Sequence, residues 1–155
     1  MIQTRGAVDA WTGNGDPVPG WPARWADPDD YQYADPGNSA PVVGDVDGDR
    51  RPDVVFTSRS GRSNSRLYLL SRDGVLLKGF PKEIRGCDAR APAIADIDLD
   101  GRNQILIGSA AWDDVGGMMD SLWVYDLGGP AHGRIEWGQV GGDARHRYVY
   151  PVPPP

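Results

Sequence analysis

The sequence predicts an all-β fold, built from repeated units of short antiparallel strands joined by tight turns. Gly and Pro supply 21 and 14 of the 155 residues, a content that favours many short strands over long helices. Two kinds of segment alternate along the chain, and each kind recurs. One is an acidic loop followed by a β-branched strand, and the other is a strand pair around a Gly-containing turn. The length fits one domain with a core of moderate size.

The acidic segment occurs twice with the same spacing. Residues 39–56 read SAPVVGDVDGDRRPDVVF and align without gaps on residues 90–107, RAPAIADIDLDGRNQILI. In both copies Ala-Pro precedes two apolar residues, a small residue, the acidic loop and an apolar strand. Carboxylates at alternate positions repel one another. Their recurrence in the same local frame therefore indicates a shared requirement.

The strand pair also recurs. Residues 8–22, VDAWTGNGDPVPGWP, align on residues 67–81, LYLLSRDGVLLKGFP. The dipeptides Asn14-Gly15 and Asp73-Gly74 fall at the same place, and both are typical of two-residue hairpin turns. A third and looser copy spans residues 121–140.

The order of the segments predicts units of about four strands and about 50 residues. Such a unit cannot bury both faces of its own small sheet, so units must stack. This pattern favours about two and a half four-stranded blades of a partial β-propeller. The alternative is a β-sandwich of similar hairpins, which has no need to repeat an acidic loop in register. The predicted division is a last hairpin of a preceding blade (1–25), a blade with the first loop (26–84), a blade with the second loop (85–149) and a Pro-rich tail (150–155).

The acidic loops have the spacing of a calcium site. Calcium takes roughly six to eight oxygen ligands from flexible loops, and D-x-D-x-D followed by a further side-chain oxygen four residues on is such a spacing. The first predicted ligand set is Asp45, Asp47, Asp49, Asp53 and the backbone carbonyl of Arg51. The second is Asp96, Asp98, Asp100, Gln104 and the carbonyl of Arg102.

The two predicted sites should differ in affinity, because Gln104 brings a neutral oxygen where the first loop has Asp53. The second site is expected to be the weaker one. Neither loop is an EF-hand, since an apolar residue replaces the Glu at the twelfth loop position. The alternative to a metal site is a solvated acidic turn without an ion.

The segments APVVGDVDGDRRPDVV and APAIADIDLDGRNQIL resemble FG-GAP repeats, the blades of integrin-α-type β-propellers and their bacterial relatives. The resemblance covers roughly residues 5–140. It implies calcium bound, in a structural role, in a loop between the first two strands of a blade. The sixth loop position usually holds Gly in that family. The second loop has Gly101 there, but the first has Arg50, so its turn is expected to be strained or differently shaped.

Composition and motifs argue against several classes of function. A net charge of −6 and a pI of about 4.7 argue against binding to nucleic acid or an anionic membrane, and no apolar run approaches the roughly 18 residues of a membrane span. No nucleophile–base pattern and no phosphate-binding Gly loop occurs. The sequence thus predicts a non-enzymatic, calcium-binding module for adhesion, with a protein or a glycan as ligand. The alternative is an accessory propeller segment of a larger secreted enzyme, such as a polysaccharide lyase or a protease.

The predicted calcium sites and the small number of repeats lead to expectations about where the protein acts and about its remaining blades. Calcium sites of moderate affinity fill only where calcium is near millimolar, so an extracellular, periplasmic or cell-surface protein is expected. Propellers have about four to eight blades. We therefore expect the C-terminal part of a larger propeller, with the remaining blades as partners. Further copies of the chain that share blades, or an open array, are the alternatives.

The aromatic residues divide into two groups. Those expected on a ligand-binding surface are Trp25, Tyr31, Tyr33, Trp112 and Trp137. Those expected to pack between blades are Trp11, Trp21, Phe80 and Trp123. Residues 110–121 are predicted to form a loop longer than its counterpart in the first blade, and such loops often carry binding faces.

Overall fold

The computed structural model describes residues 2–4, 7–24, 39–60, 64–86, 89–112, 116–128, 133–142 and 145–146. Over these ranges the chain forms eleven strands and no helix, which confirms the predicted all-β class. The strands form three antiparallel sheets. Within the same ranges, no helix is long and apolar enough to cross a lipid bilayer.

The three sheets follow one another along the chain. The first contains β1 (Ile2–Thr4), β2 (Ala7–Asp9) and β3 (Ala23–Arg24). The second contains β4 (Val42–Gly44), β5 (Asp53–Ser60), β6 (Asn64–Leu70) and β7 (Lys82–Arg85). The third contains β8 (Ala93–Ala95), β9 (Gln104–Trp112) and β10 (Met118–Tyr125). The last strand, β11 (Ile135–Trp137), joins the second sheet beside β4.

Each acidic loop connects the first two strands of its sheet, β4 to β5 and β8 to β9. Gly44 pairs with Asp53 in the second sheet, and Ala95 pairs with Gln104 at the aligned position in the third. The gapless alignment of the two segments is thus also an alignment of strand register. The predicted blade boundaries stay a prediction.

The turns after β2 and β6 have the same hydrogen bonds. In the first, the Gly15 amide donates to the Thr12 carbonyl at 3.0 Å, and the Thr12 amide donates to the Asp16 carbonyl at 2.8 Å. The second repeats both bonds at the aligned positions around Gly74. The prediction of two-residue turns was wrong, because three residues lie between the bonded pair. The last of the three is Gly15 at φ +88° in the first turn and Gly74 at φ +76° in the second. This left-handed conformation forms a bulge at the end of the turn and is unfavourable for a residue with a side chain.

The third strand pair was predicted wrongly. Strand β10 pairs with β9 over its whole length, so most of residues 110–121, expected as a loop, is strand. Strand β11 pairs with β4 and not with β10. Gly44 favours this approach, since an added Cβ would lie 3.3 Å from the Arg134 carbonyl oxygen, closer than an ordinary contact. The Asp45 amide also donates to the Arg134 carbonyl at 2.9 Å.

The core lies between the sheets in two layers. The layer between the first and second sheets contains Val8, Ala10, Trp21 and Ala23 against Val54, Phe56, Tyr68 and Leu70. The layer between the second and third sheets contains Val42, Val55, Leu67, Leu69 and Ile84 against Ile94, Ile105 and Ile107. In the first layer the rings of Phe56 and Tyr68 stack with centroids 5.0 Å apart.

Three of the four aromatic residues expected between blades pack into these layers. Trp21 is buried and donates its indole N–H to the Arg72 carbonyl at 2.9 Å, while Phe80 and Trp123 pack against the other layer. Trp11 is 44% exposed instead. Of the residues expected on a ligand surface, Trp137 is half-buried. Trp25, Tyr31, Tyr33 and the side chain of Trp112 lie outside the described part of the chain.

Candidate metal centres

Each acidic loop gathers three carboxylates. Asp45, Asp47 and Asp49 place one oxygen each within 4.8 Å of one another. The same holds for Asp96, Asp98 and Asp100. Such a set of oxygens suits a hard cation such as calcium.

In the first loop, Asp45 organises the turn. One of its carboxylate oxygens accepts the Gly48 amide at 2.7 Å, and the other accepts the Arg50 amide at 2.9 Å. The side chain is buried at the end of β4. The backbone therefore curls around this carboxylate and brings the next two carboxylates to the same side.

Asp53 closes the first loop at the start of β5. It is 1% exposed and accepts the Val46 amide at 3.1 Å. Burial raises the pKa of the Asp53 carboxyl to about 7, with a smaller raising effect from the charge of Asp47 against the lowering effect of the Val46 amide. A buried carboxylate beside other carboxylates needs a compensating charge, and a divalent cation would supply it.

The second loop repeats this arrangement, except that one carboxylate oxygen of Asp96 has no hydrogen-bond donor among the described residues. The Gly101 amide donates to one oxygen of Asp96 at 2.9 Å. The other oxygen, Oδ1, is buried and accepts no hydrogen bond from any residue that the structure describes. Buried oxygens are rarely left without a partner. This oxygen therefore fits a metal ligand.

Gln104 occupies the place of Asp53 and makes a similar bond. Its Oε1 accepts the Ile97 amide at 2.9 Å. Its Nε2 donates to Asp98 at 3.2 Å, where a carboxylate would offer a second oxygen. The second loop thus has less negative charge and a donor among its ligands. The ligand roles of all ten predicted residues, including Gln104 and the carbonyls of Arg51 and Arg102, stay predictions.

The two loops share one backbone shape, and of the two outcomes expected for the first turn it is strain at Arg50, not a different shape, that the structure has. Both have a left-handed residue at the fourth and sixth positions: Gly48 and Arg50 at φ +79° and +68°, Leu99 and Gly101 at +61° and +88°. Each loop therefore has glycine at one left-handed position and a side chain at the other. The sequence pattern predicted the unfavourable side chain at Arg50, but it did not predict the one at Leu99.

Replacing either mismatched residue by glycine should stabilise the protein. For Arg50→Gly or Leu99→Gly we expect a gain of about 1 kcal/mol in the free energy of unfolding, because the left-handed conformation is unfavourable with a Cβ. Chemical denaturation in excess chelator measures it without a metal contribution. The matched controls Gly48→Ala and Gly101→Ala should destabilise by a similar amount. If all four variants unfold with the same free energy as the wild type, the left-handed residues Arg50 and Leu99 are not strained.

The second loop also contacts the first. The Asn103 side-chain amide donates to the Asp45 carbonyl at 2.7 Å and to the Gly133 carbonyl at 2.9 Å. A Cβ at Gly133 would overlap the Asp45 carbonyl, so this contact requires glycine. The first candidate site is therefore supported from the second repeat and from the segment before β11.

Comparison with known families agrees with this geometry. Residues 45–107 match the family model described as FG-GAP-like repeat. The match contains both acidic loops and the strands between them. No curated protein and no solved structure matches the chain.

Proposed function

We propose that the chain, whose residues 45–107 match the FG-GAP-like repeat family model, is a calcium-stabilised β-propeller module that binds a partner and catalyses no reaction. The observation that carries the proposal is the pair of loops with one backbone shape, each holding three carboxylate oxygens within 4.8 Å. The ligand atoms are oxygens, and His and Cys are absent from both clusters. This donor set favours calcium over zinc.

Calcium would stabilise the fold by joining strand ends. In the first loop it would compensate the buried charge of Asp53 and hold the ends of β4 and β5 together. In the second it would satisfy the unpartnered oxygen of Asp96. An ion that binds the folded chain and not the unfolded one adds its binding free energy to stability.

A partner-binding role is supported by a cavity of about 710 Å³ beside the first and second sheets. Its lining combines the indoles of Trp11 and Trp137 with the charged side chains Arg72 and Glu136. Glu136 also pairs with Arg134 at 3.0 Å. Aromatic faces next to charged hydrogen-bonding groups suit a glycan or a protein loop. A calcium-dependent module of this kind would act in an extracellular, periplasmic or cell-surface setting.

Isothermal titration calorimetry tests the metal sites directly. Calcium should bind at two sites, the first loop more tightly than the second because it has the additional carboxylate. Asp47→Ala should remove the tighter site, and the matched variant Asp98→Ala the weaker one. Magnesium at equal concentration should bind more weakly, since the smaller ion retains its waters. A calcium titration without heat at millimolar ligand, confirmed by equilibrium dialysis, would refute calcium binding.

A further inference from the structure

The cavity beside the first and second sheets is built around the first acidic loop. Pro52, a residue of the loop itself, is part of the cavity lining. Val43, two residues before the first carboxylate of the loop, lines the cavity as well and pairs with Trp137 across β4 and β11. Trp137 and its neighbour Glu136 are also lining residues. A large part of the cavity wall is therefore continuous with the loop or paired with the strand that leads into it.

Hydrogen bonds attach the segment before β11 to the same loop. The Asp45 amide donates to the Arg134 carbonyl at 2.9 Å, two residues before the lining residue Glu136. The Asn103 side-chain amide donates to the carbonyls of Asp45 and Gly133, at 2.7 and 2.9 Å. The peptide groups on both sides of the first carboxylate are thus linked to the segment that carries the cavity residues of β11.

A further link connects the loop to the turn after β6. The Arg51 guanidinium lies 3.3 Å from the Asp73 carboxylate, and the neighbouring Arg72 lines the cavity. Both partners of this ion pair are about half exposed, so the pair alone contributes little. It adds a third route from the loop to the cavity, beside Pro52 and the segment before β11.

We propose that the cation in the first loop sets the shape of this cavity, so that the cavity accepts its partner only in calcium. The inference rests on the calcium-binding module proposed above and names its regulation. Three carboxylate oxygens within 4.8 Å of one another repel without a cation, which loosens the backbone between Asp45 and Pro52. No carboxylate of the loop is among the described residues that line the cavity. Calcium therefore acts through the cavity wall, by a contiguous set of contacts, and does not touch the partner.

Fluorine NMR of the chain labelled with 5-fluorotryptophan tests the proposal, because each of the six tryptophans reports on its own surroundings. Calcium should shift the Trp137 signal of the wild type from its position in chelator, and loss of one signal in Trp137→Phe assigns it. Asp47→Ala should lose this response, whereas Asp98→Ala in the second loop should keep it. Trp123, which packs between the second and third sheets, is the internal reference for general changes in the fold.

Gly133→Ala separates the coupling from calcium binding. An added Cβ would overlap the Asp45 carbonyl, so the segment before β11 must move away while every carboxylate of the loop remains. This variant should still bind calcium in calorimetry, but its Trp137 signal should no longer respond. Gly108→Ala is the matched control, since an added Cβ there meets no atom within 4 Å. It should keep both calcium binding and the response.

The coupling must also act in the reverse direction, because linkage between two sites is reciprocal. Trp137→Ala should therefore weaken calcium binding at the tighter site by about 5-fold or more and leave the weaker site unchanged. Leu122→Ala, which shortens a side chain of the third sheet that is 70% exposed, should leave both affinities unchanged. Calcium heat with an unchanged Trp137 signal, or a Gly133→Ala variant that responds like the wild type, would overturn this inference alone. A titration without calcium heat would overturn the proposed function together with it.

Discussion

Calcium at about 1 mM should raise the melting temperature of this protein by roughly 5–10 °C over its value in excess chelator. An ion at about 100 times its dissociation constant adds about 2.7 kcal/mol of stability per site. For a chain of this length each kcal/mol corresponds to roughly 2–4 °C. The first loop should provide most of the increase, because it combines Asp53 with the three clustered carboxylates. Differential scanning calorimetry in calcium and in chelator measures the shift.

The matched pair Asp47→Ala and Asp98→Ala separates the two loops. Asp47→Ala should abolish more than half of the calcium-dependent rise, and Asp98→Ala should remove a smaller part. Both variants should melt close to the wild type in chelator, since each loses a carboxylate from a repelling cluster. A calcium-independent melting temperature in the wild type would mean that the loops are turns without an ion.

The second large effect should come from Asp53→Asn, which we expect to have opposite signs with and without calcium. Asn can keep the bond to the Val46 amide, as Gln104 keeps the bond to Ile97 in the second loop. It also removes a buried charge. In chelator at pH 8 the variant should therefore be more stable than the wild type, by roughly 2–3 kcal/mol after allowance for solvent screening of the charge. In calcium this advantage should shrink or reverse.

The stability of the metal-free protein should depend on pH through Asp53. Burial raises the folded-state pKa of Asp53 to about 7 from its ordinary value of 3.8. Its contribution to stability is fully present below about pH 4 and is lost as the pH rises through 7. Urea unfolding in chelator between pH 5 and 8 should show wild-type stability falling, and Asp53→Asn should flatten that fall. Parallel curves for the two proteins would contradict the raised pKa.

The sequence was most informative where one local pattern occurs twice. The acidic loops, their place between the first two strands and the alignment of their register all follow from residues near in sequence. The clustering of Asp45, Asp47 and Asp49 also follows, because alternate positions in a turn share a side. The strain at Leu99 was not predicted, since a glycine two residues later satisfied the expected pattern.

Contacts between distant segments were not predictable in the same way. The pairing of β11 with β4 depends on the space beside Gly44 and on a bond from Asp45 to Arg134. Neither has a local signature. The three-residue turns were missed for a different reason. Asp-Gly and Asn-Gly fit both a two-residue turn and the last positions of a longer one, so the flanking hydrogen bonds decide between them.

The bond from Asn103 to the Asp45 carbonyl gives the array a direction. The aligned residue of the first loop is Pro52, which has no amide to extend toward the sheet before it and instead lines the cavity with Trp11. The second loop thus donates a hydrogen bond to the first loop, but the first loop has no side-chain amide at the aligned position to donate to the first sheet. The repeats are consequently not interchangeable parts: exchanging their order, or transplanting the first loop alone into another scaffold, would separate its first carboxylate from the amide that fixes its backbone.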